Sequence, residues 1–555
     1  MGKIRFRFLS SLAKIPPYMK KLPSSLEKGR MLQNERFNFQ LLFCSFDMHN
    51  RKAGVSVISD FPGTLELREV GYTPVAFTGF SPCDDDVISD MAGVYPDRLC
   101  PLEEGCTRIV IRQTRTLWIT AATTAETPSG NYTVKLHFTV YPDDADEGSA
   151  ETQKVEYFTT PEFKLEVLPR VLGEQKLKVT QWFHPDSLTN FYQIPMWSEK
   201  HFELVENCFR NLTAHGSNMI LVPVLTLILN VAPGHRREVS QLLIAGRGKS
   251  GGYTFDFTLL DRYIQLAQKC GFQYFEISHL FSQWGAAYAP PVVVDGELLF
   301  DGTVPGDAPE YRKFLSAMLD ALRKHLEELG IAEKTVFHCS DEPPASRIGQ
   351  YRKAVDFIRE HLPGFQIIDA LNDGKLFDAS GMDTPVPLIS QLEDFKKIKL
   401  REKWCYYCCA PTWKMPNRFI HFPSSRNRIF GLLLWKYDMA GFLHWGYNFY
   451  FEALSRFAVD PELDTGCDRF YPPGDAYLVY PGKNGFPEDS LRHEVFAEAL
   501  QDYRLLELLA GSMGRAKVKK LLAKLCGRLT MSNYPRGEKA VLQLREKLLT
   551  ALMKS

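Results

Sequence analysis

The sequence predicts a multidomain protein in which an N-terminal antiparallel β-sandwich precedes a (β/α)8 TIM-like barrel and a C-terminal helical/β extension. Up to about residue 170, short alternating apolar segments are separated by turns, as in 117–120 and 132–138. From about residue 178, apolar strands instead alternate with amphipathic helices, as parallel βα units do. At 555 residues the chain is too long for one core, which favours several domains.

Eight segments of the second region have the character of buried strands, and eight is the strand number of this barrel class. They are 179–183, 219–224, 274–278, 335–339, 366–370, 385–389, 404–408 and 441–445. The loop 281–309 is too long for an ordinary connection and is predicted to form a wall of the site. The predicted domains are a poorly ordered extension (1–35), the sandwich (36–170), the catalytic barrel (171–467), and a strand with helices packed on the barrel (468–555).

Charge and composition narrow the possible partners. The 66 basic and 66 acidic residues balance without long blocks of one sign, which argues against nucleic acid as a partner. No run of about 18 apolar residues occurs, so we expect no membrane insertion, and residues 1–30 lack the apolar core of a signal peptide. Twelve cysteines without regular spacing favour reduced thiols and a cytoplasmic location. The oligomeric state does not follow from the sequence.

Two adjacent carboxylates, Asp341 and Glu342, follow the fourth predicted strand directly before Pro343 and Pro344. Barrel enzymes carry their chemistry in the loops that follow strands. Neighbouring residues of a regular strand face opposite ways, so both carboxylates can reach one ligand only where the strand breaks, and the two prolines supply such a break. In the alternative interpretation, Ser340 or Asp341 caps the next helix and Glu342 is solvated. The position of the pair within the predicted barrel favours an active site.

Other motifs carry less weight. The stretch 246–250 resembles a P-loop, but Leu243 stands where the first glycine is required, so a nucleotide site is rejected. The single C-x-x-C at 405–408 has no second pair at zinc spacing, and a metal is not predicted there. The chain contains no Gly-x-Ser-x-Gly elbow for Ser-His-Asp hydrolysis.

Aromatic side chains recur near the predicted strand ends, where together they could pack on the C–H faces of a sugar ring. Singly, each is more often a core residue. Polar neighbours could hydrogen-bond the sugar hydroxyls. The aromatic candidates are Trp182, Trp284, Trp404, Tyr406, Trp445 and Tyr447, and the polar candidates are Glu276, His279, Asn372 and Asn448.

Several motifs point to one family, namely those at 182–184, 253–257, 340–343, 404–409, 441–445 and 474–482. Through them the chain resembles glycoside hydrolase family 123, which includes β-N-acetylgalactosaminidases, and the related domain-of-unknown-function 4091 family. The resemblance implies substrate-assisted retaining catalysis, in which Glu342 is the acid/base and Asp341 stabilises the oxazolinium intermediate. Tyr406 resembles the family tyrosine that holds the acetamido oxygen, whereas Cys405 and Tyr407 depart from the expected residues. No metal or organic cofactor is implied.

The expected substrate is a small carbohydrate or glycoconjugate with a terminal β-linked N-acetylhexosamine, and the resemblance favours N-acetylgalactosamine. Two alternatives remain at this point. One is a non-catalytic carbohydrate-binding or scaffold protein on the same fold. The other is a retaining glycosidase in which a distant carboxylate such as Glu276 is the nucleophile.

Overall fold

The computed structural model describes residues 4–19, 21–45, 50–79, 84, 86–142, 154–232, 235–249 and 251–555. The chain forms two compact units. The sandwich unit comprises residues 1–174, 416–436 and 488–555, and the barrel unit comprises residues 175–415 and 437–487.

The strands within the described residues are β1 (Arg5–Ser10), β2 (Lys28–Gln33), β3 (Arg36–Cys44), β4 (Arg51–Ser59), β5 (Thr64–Val75), β6 (Gly93–Pro101), β7 (Cys106–Ile109), β8 (Thr114–Ala122), β9 (Gly130–Val140), β10 (Glu156–Thr159), β11 (Phe163–Val171), β12 (Lys178–Gln181), β13 (Met219–Val222), β14 (Ile244–Arg247), β15 (Tyr253–Asp256), β16 (Tyr274–Ile277), β17 (Val292–Val294), β18 (Glu297–Phe300), β19 (Thr335–Phe337), β20 (Gln366–Ala370), β21 (Thr384–Val386), β22 (Trp404–Tyr406), β23 (Gly441–His444), β24 (Tyr480–Pro481) and β25 (Pro487–Glu488).

The α-helices of the same residues are α1 (Pro185–Tyr192), α2 (Glu199–Ala214), α3 (Thr258–Cys270), α4 (Gln283–Ala286), α5 (Pro309–Glu328), α6 (Ile348–His361), α7 (Phe377–Ser380), α8 (Ser424–Arg428), α9 (Phe430–Lys436), α10 (Leu491–Met513), α11 (Arg515–Cys526) and α12 (Glu538–Met553).

The sandwich unit contains two sheets, with strand orders β1-β3-β8-β5-β6 and β2-β11-β9-β4-β7, and β10 pairs with β9. Alternate residues of β9 are buried, including Leu136 and Phe138, because a strand directs successive side chains to opposite faces. Phe39 of β3 stacks on Phe163 of β11 with ring centroids 4.2 Å apart. These aromatic side chains form part of the core of the predicted β-sandwich.

The start of the chain is better ordered than the sequence predicted. Residues 1–35 were expected to form a poorly ordered extension, but β1 pairs antiparallel with β3 and β2 pairs parallel with β11. The reason is visible in β1, where Phe6 and Phe8 are buried while Arg5 and Arg7 point outward. This two-residue period covers only six residues, which is too short to stand out in the sequence.

The C-terminal region divides between the two units, which corrects the predicted extension at 468–555. Residues 488–555, with the helices α10, α11 and α12, belong to the sandwich unit. There Arg492 of α10 binds Asp97 of β6 at 2.9 Å, and Arg68 of β5 binds Asp489 at 2.7 Å. Helical periodicity predicted a buried face for these helices but does not identify its partner. The partner is decided by buried charges, which require opposite charges nearby.

The barrel unit contains eight parallel strands in the order β21-β20-β19-β16-β13-β12-β23-β22. A parallel bridge between Leu388 and Tyr406, just beyond β21 and in β22, joins the two ends of this sheet. The eight predicted strands are confirmed, although several are shorter than expected. The long 281–309 loop contains β17 and β18, which join β14 and β15 in a four-stranded sheet of order β15-β14-β17-β18.

Side chains alternate along the barrel strands. In β13, Met219 and Leu221 join the cluster that contains Trp182 and Leu443, whereas Ile220 joins the helix-facing cluster. A fully buried sheet needs apolar residues on both faces, which explains the continuous apolar runs of the sequence. Polar side chains are instead found where these apolar runs end, as at Asp341 and Glu342 after β19. In the described part of the chain, none of the helices has the length and apolar character needed to cross a bilayer.

Candidate active site

The predicted catalytic loop, residues 338–342, follows β19 at the carboxyl end of the barrel. Glu342 adopts a left-handed backbone conformation with φ of 44°, which is unfavourable for a residue with a side chain. The strand itself ends at Phe337, and the left-handed turn at Glu342 comes directly before Pro343 and Pro344. The break that was assigned to the two prolines therefore begins before them. A 3-10 turn at Ala345–Arg347 leads into α6.

Asp369 of β20 holds this loop in place. Its buried carboxylate accepts hydrogen bonds from the backbone N–H groups of Cys339 (3.0 Å) and Ser340 (3.2 Å), and from the Tyr351 hydroxyl (2.6 Å). Sequence analysis did not identify Asp369 as a site residue. The available signal was an aspartate inside an otherwise apolar strand, which must find partners when buried.

His338 bridges two buried carboxylates. Its Nδ1 lies 3.1 Å from Asp369, and its Nε2 lies 3.0 Å from Glu276. Burial alone would lower the pKa of His338, but the hydrogen bonds and charges of Asp369 and Glu276 raise it to about 10. His338 is therefore an imidazolium near neutral pH, and each carboxylate has a cationic partner.

Glu276, a predicted polar contact and alternative nucleophile, lies inside this network. Besides His338 it accepts a hydrogen bond from the Trp182 indole N–H at 3.0 Å. His279 stacks on His338 with ring centroids 4.7 Å apart, and burial, followed by the charge of His338, lowers its pKa well below 6.5. Glu276 therefore hydrogen-bonds to both Trp182 and His338, and the His279 ring packs against both of them, so that these contacts fix the two rings in position.

Glu342 contacts two of the predicted site residues. Its Oε1 accepts hydrogen bonds from the Tyr406 hydroxyl and, at 3.1 Å, from the Asn372 side-chain amide. The same amide nitrogen lies 2.8 Å from the Tyr406 oxygen, and the Asn372 oxygen accepts the Leu388 N–H at 3.1 Å. Burial, followed by the charge of Glu342, raises the pKa of Tyr406 well above 10, so its hydroxyl keeps its proton.

Asp341 meets a residue that sequence analysis missed. Gln283 donates its side-chain amide to Asp341 at 3.1 Å and accepts the Asn230 N–H at 2.6 Å. Burial, followed by the charge of Glu342, raises the pKa of Asp341 to about 8, although the Gln283 hydrogen bond opposes the shift. The only signal for Gln283 was its place in the long loop predicted to form a wall.

Three of the remaining predicted contacts are tryptophans, two of them inside the barrel and one exposed at a cavity. Trp182 and Trp445 lie at strand ends inside the barrel, and Trp445 donates to Asp475 at 3.1 Å. Trp284 is 47% exposed and lines a cavity beside Gln283.

The structure gives three other predicted contacts packing roles. Trp404 begins β22, at the end of the barrel opposite the catalytic loop, and donates to Glu402 at 3.0 Å. Tyr447 is fully buried and donates to Asn211 at 2.8 Å. Asn448 accepts the His184 N–H at 2.8 Å and donates to the His184 carbonyl at 3.0 Å.

Comparison with known proteins identifies the class. Residues 182–509, more than half of the chain, match the family profile described as glycoside hydrolase 123, catalytic domain. The barrel and this match define a glycoside hydrolase. The chain belongs to glycoside hydrolase family 123 and acts on carbohydrate.

One solved structure supports the fold, and a second is only a weak match. A family 123 glycoside hydrolase from Clostridium perfringens, described through its hydrolysis of glycolipid glycans, has a TM-score of 0.72 at 16% identity, with 100% of this chain and 98% of that chain covered. A β-galactosidase from Bacillus circulans sp. alkalophilus has a TM-score of 0.34 at 12% identity, with 60% and 56% covered. No curated protein matched the chain.

Replacing Asp341 by asparagine should change how stability depends on pH. Burial and the charge of Glu342 raise the pKa of Asp341 from 3.8 to about 8, so between these values the native protein keeps a proton that the unfolded chain has lost. As the pH rises between these values, the wild type's free energy of unfolding should therefore fall, relative to that of Asp341→Asn, by on the order of a few kcal/mol. Urea unfolding at about pH 5 and about pH 8 measures the difference. Parallel pH dependences for the two proteins would contradict the shift, and Asp356→Asn, on the exposed face of α6, is the control.

Proposed function

We propose that this glycoside hydrolase removes a terminal β-linked N-acetylhexosamine by substrate-assisted retaining catalysis. The observation that carries the proposal is the adjacent pair Asp341 and Glu342 at the end of β19, with Tyr406 and Asn372 hydrogen-bonded to Glu342. The two carboxylates have different surroundings, since Asp341 binds Gln283 instead. Two acidic groups in different environments suit two different roles.

In the first step, Glu342 donates a proton to the glycosidic oxygen while the acetamido carbonyl oxygen of the substrate attacks the anomeric carbon. The bond to the leaving group breaks, and a cyclic oxazolinium forms. In the second step, Glu342 takes a proton from water, the water oxygen attacks the anomeric carbon, and the ring reopens. Two inversions give net retention, and Glu342 regains its proton.

Asp341 accepts the acetamido N–H and stabilises the positive charge of the oxazolinium. Without substrate, burial and Glu342 raise the pKa of Asp341 to about 8. A cation that forms beside the carboxyl favours its ionised form. With substrate bound, the one proton of the pair therefore lies on Glu342, which donates it to the glycosidic oxygen, and Asp341 is the carboxylate that faces the oxazolinium.

Tyr406 is proposed to hold the acetamido oxygen in line for attack. Its single hydroxyl proton is donated to Glu342 in the absence of substrate. Because one proton serves one strong acceptor at a time, substrate binding would transfer this hydrogen bond from Glu342 to the acetamido oxygen. Asn372 would then remain as the partner of Glu342.

The alternative in which Glu276 is the nucleophile has weaker support. Its side chain is fully buried, and one oxygen is already shared by His338 and Trp182. A nucleophilic carboxylate must reach the anomeric carbon directly.

The proposed substrate is a glycoconjugate, and N-acetylgalactosamine is favoured over N-acetylglucosamine. Family membership supports the sugar, because the family includes β-N-acetylgalactosaminidases, and the glycolipid glycan substrate described for the Clostridium perfringens structure supports a glycoconjugate.

Glu342→Gln should nearly abolish turnover of a natural glycoside, by about 100-fold or more, because general acid–base catalysis contributes roughly 10²- to 10⁴-fold. The fall in kcat/KM should be smaller for a nitrophenyl glycoside, because its leaving group needs little protonation in the first step. Measurement of kcat/KM on both substrates tests this role, with Glu328→Gln on α5 as the control. Equal losses on the two substrates would assign the acid to another residue.

Asp341→Asn should lower kcat strongly and leave the circular dichroism spectrum unchanged, because the carboxylate acts on the intermediate. A thiazoline analogue of the oxazoline should inhibit the wild type and bind less tightly to the variant. Mass spectrometry after treatment with a fluorosugar gives the opposing outcome. A covalent sugar ester on Asp341, Glu342 or Glu276 would replace this mechanism with one that uses an enzyme nucleophile.

The galacto epimer should be hydrolysed with a kcat/KM at least about tenfold higher, near 1.4 kcal/mol. The two sugars differ only at C4, and a site built to bond an axial hydroxyl rejects the epimer, because a buried polar group is left unpaired. A panel of nitrophenyl β-glycosides measures the ratio. Equal values would remove the preference, and absence of activity on every member, with folded protein, would support the non-catalytic alternative.

A further inference from the structure

A cavity of about 450 Å³ opens beside the catalytic loop. It is lined by the segments that follow β13 and β16, and by Arg347 at the start of α6. Gln283 is part of its wall and also donates to Asp341 at 3.1 Å. The volume is within the range of small-molecule sites. A group that extends from a sugar bound at Asp341 toward Gln283 therefore enters this cavity.

The aromatic part of the wall is held in place by the catalytic loop itself. Trp284 donates its backbone N–H to the Asp341 carbonyl at 2.8 Å, and the N–H groups of Gly285 and Ala286 donate to the Ser340 hydroxyl at 3.2 and 3.1 Å. Trp284 and Ala286 both have φ of 59°, a conformation that costs on the order of 1–3 kcal/mol per residue. A strained turn thus keeps an exposed indole at a fixed place beside Asp341.

The sugar-binding character of this wall comes from two exposed rings. Trp284 is 47% exposed and Tyr288 is 44% exposed, and both line the cavity. Exposed aromatic faces suit the C–H faces of a second sugar ring. Gly285, between Trp284 and Ala286, has no room for a side chain, because a Cβ atom there would lie 2.6 Å from the Cβ of Arg347. This close approach sets Arg347 beside the aromatic turn.

The charge of the wall is positive. Arg236, Arg237 and Arg347 line the cavity, and none of its described lining residues is an aspartate or glutamate. Arg236 and Arg347 are exposed and form no ion pair with the described residues, whereas buried Arg237 binds Asp186 at 2.5 Å and lies 3.0 Å from His184. The Nη1 of Arg237 has no hydrogen-bond partner among the described residues. Guanidinium groups in such a setting favour carboxylate and sulfate.

We propose that this cavity binds an anionic sugar residue, one that bears a carboxylate or a sulfate, attached to the N-acetylhexosamine that is cleaved. The assignment rests on the proposed function, because it takes Asp341 as the place of the acetamido group. The aromatic rings contact the sugar ring, and the arginines contact its acidic group. The protein would then select acidic glycans over neutral ones.

Binding to the Glu342→Gln variant tests the assignment without turnover. The probes are three disaccharides in which β-N-acetylhexosamine is linked to a uronic acid, to a sulfated hexose or to the matching neutral hexose. Calorimetry should give a Kd at least about tenfold lower for one acidic probe than for the neutral probe. The identity of that probe distinguishes carboxylate from sulfate. The preference should weaken in high salt, because exposed charges are screened.

Adding Arg236→Gln and Arg347→Gln together should reduce this preference to less than about threefold. Arg170→Gln, an exposed arginine of β11 in the sandwich unit, should leave the preference intact and is the matched control. Trp284→Ala should weaken the binding of acidic and neutral probes to a similar degree, since it removes ring contact and not charge. Circular dichroism verifies that each variant is folded.

Equal affinity for the acidic and neutral probes, or a preference that survives loss of both arginines, would overturn the assignment. Binding of none of the disaccharides, in a protein that hydrolyses nitrophenyl N-acetylhexosaminides, would also overturn it while the proposed function stands. Selective, arginine-dependent binding of an acidic probe without hydrolysis of any N-acetylhexosaminide would refute the proposed function and keep the cavity as an acidic-sugar site.

Discussion

The course of the loop 338–342 depends on hydrogen bonds to one side chain, the buried carboxylate of Asp369. It accepts two backbone N–H groups of that loop and the Tyr351 hydroxyl, and it pairs with His338. Each donor would be buried without a partner if the carboxylate were absent, and an unsatisfied buried group costs roughly 1–3 kcal/mol. A single side chain on β20 thereby sets the course of the chain that leads to Asp341 and Glu342.

Through His338, the same carboxylate also connects the loop to Glu276 and Trp182 in the barrel. His338 bridges Asp369 to Glu276, and Glu276 accepts the indole N–H of Trp182. The pKa of His338 is raised to about 10 by these carboxylates against the effect of burial, so a cation lies between two buried anions. Such a network is stable only when every charge is paired, and it holds Trp182 in one orientation.

The two carboxylates next to this network, Asp341 and Glu342, are held in unfavourable states of the kind that active sites often contain. Glu342 has a left-handed backbone, and the pKa of Asp341 is raised by burial and by Glu342. Strain and a raised pKa both reduce stability, and they persist because the surrounding barrel fixes the loop. The neighbouring turn at Trp284 is strained in the same way and is tied to the same loop. The acid pair and the cavity wall are therefore parts of one rigid arrangement.

The sequence by itself determined the eight barrel strands, the sandwich and the place of Asp341 and Glu342 after the fourth strand, because periodicity and strand ends are local properties. It already held the signal that separates Trp404 from Trp445, since the predicted strand bounds place one ring at the start of a strand and the other at the end of a strand, but that signal was not used. It could not find Asp369 and Gln283, or the division of the C-terminal region between two units. Those features depend on contacts between segments far apart in the chain, where partners for buried charges and amides are decided only by packing in three dimensions.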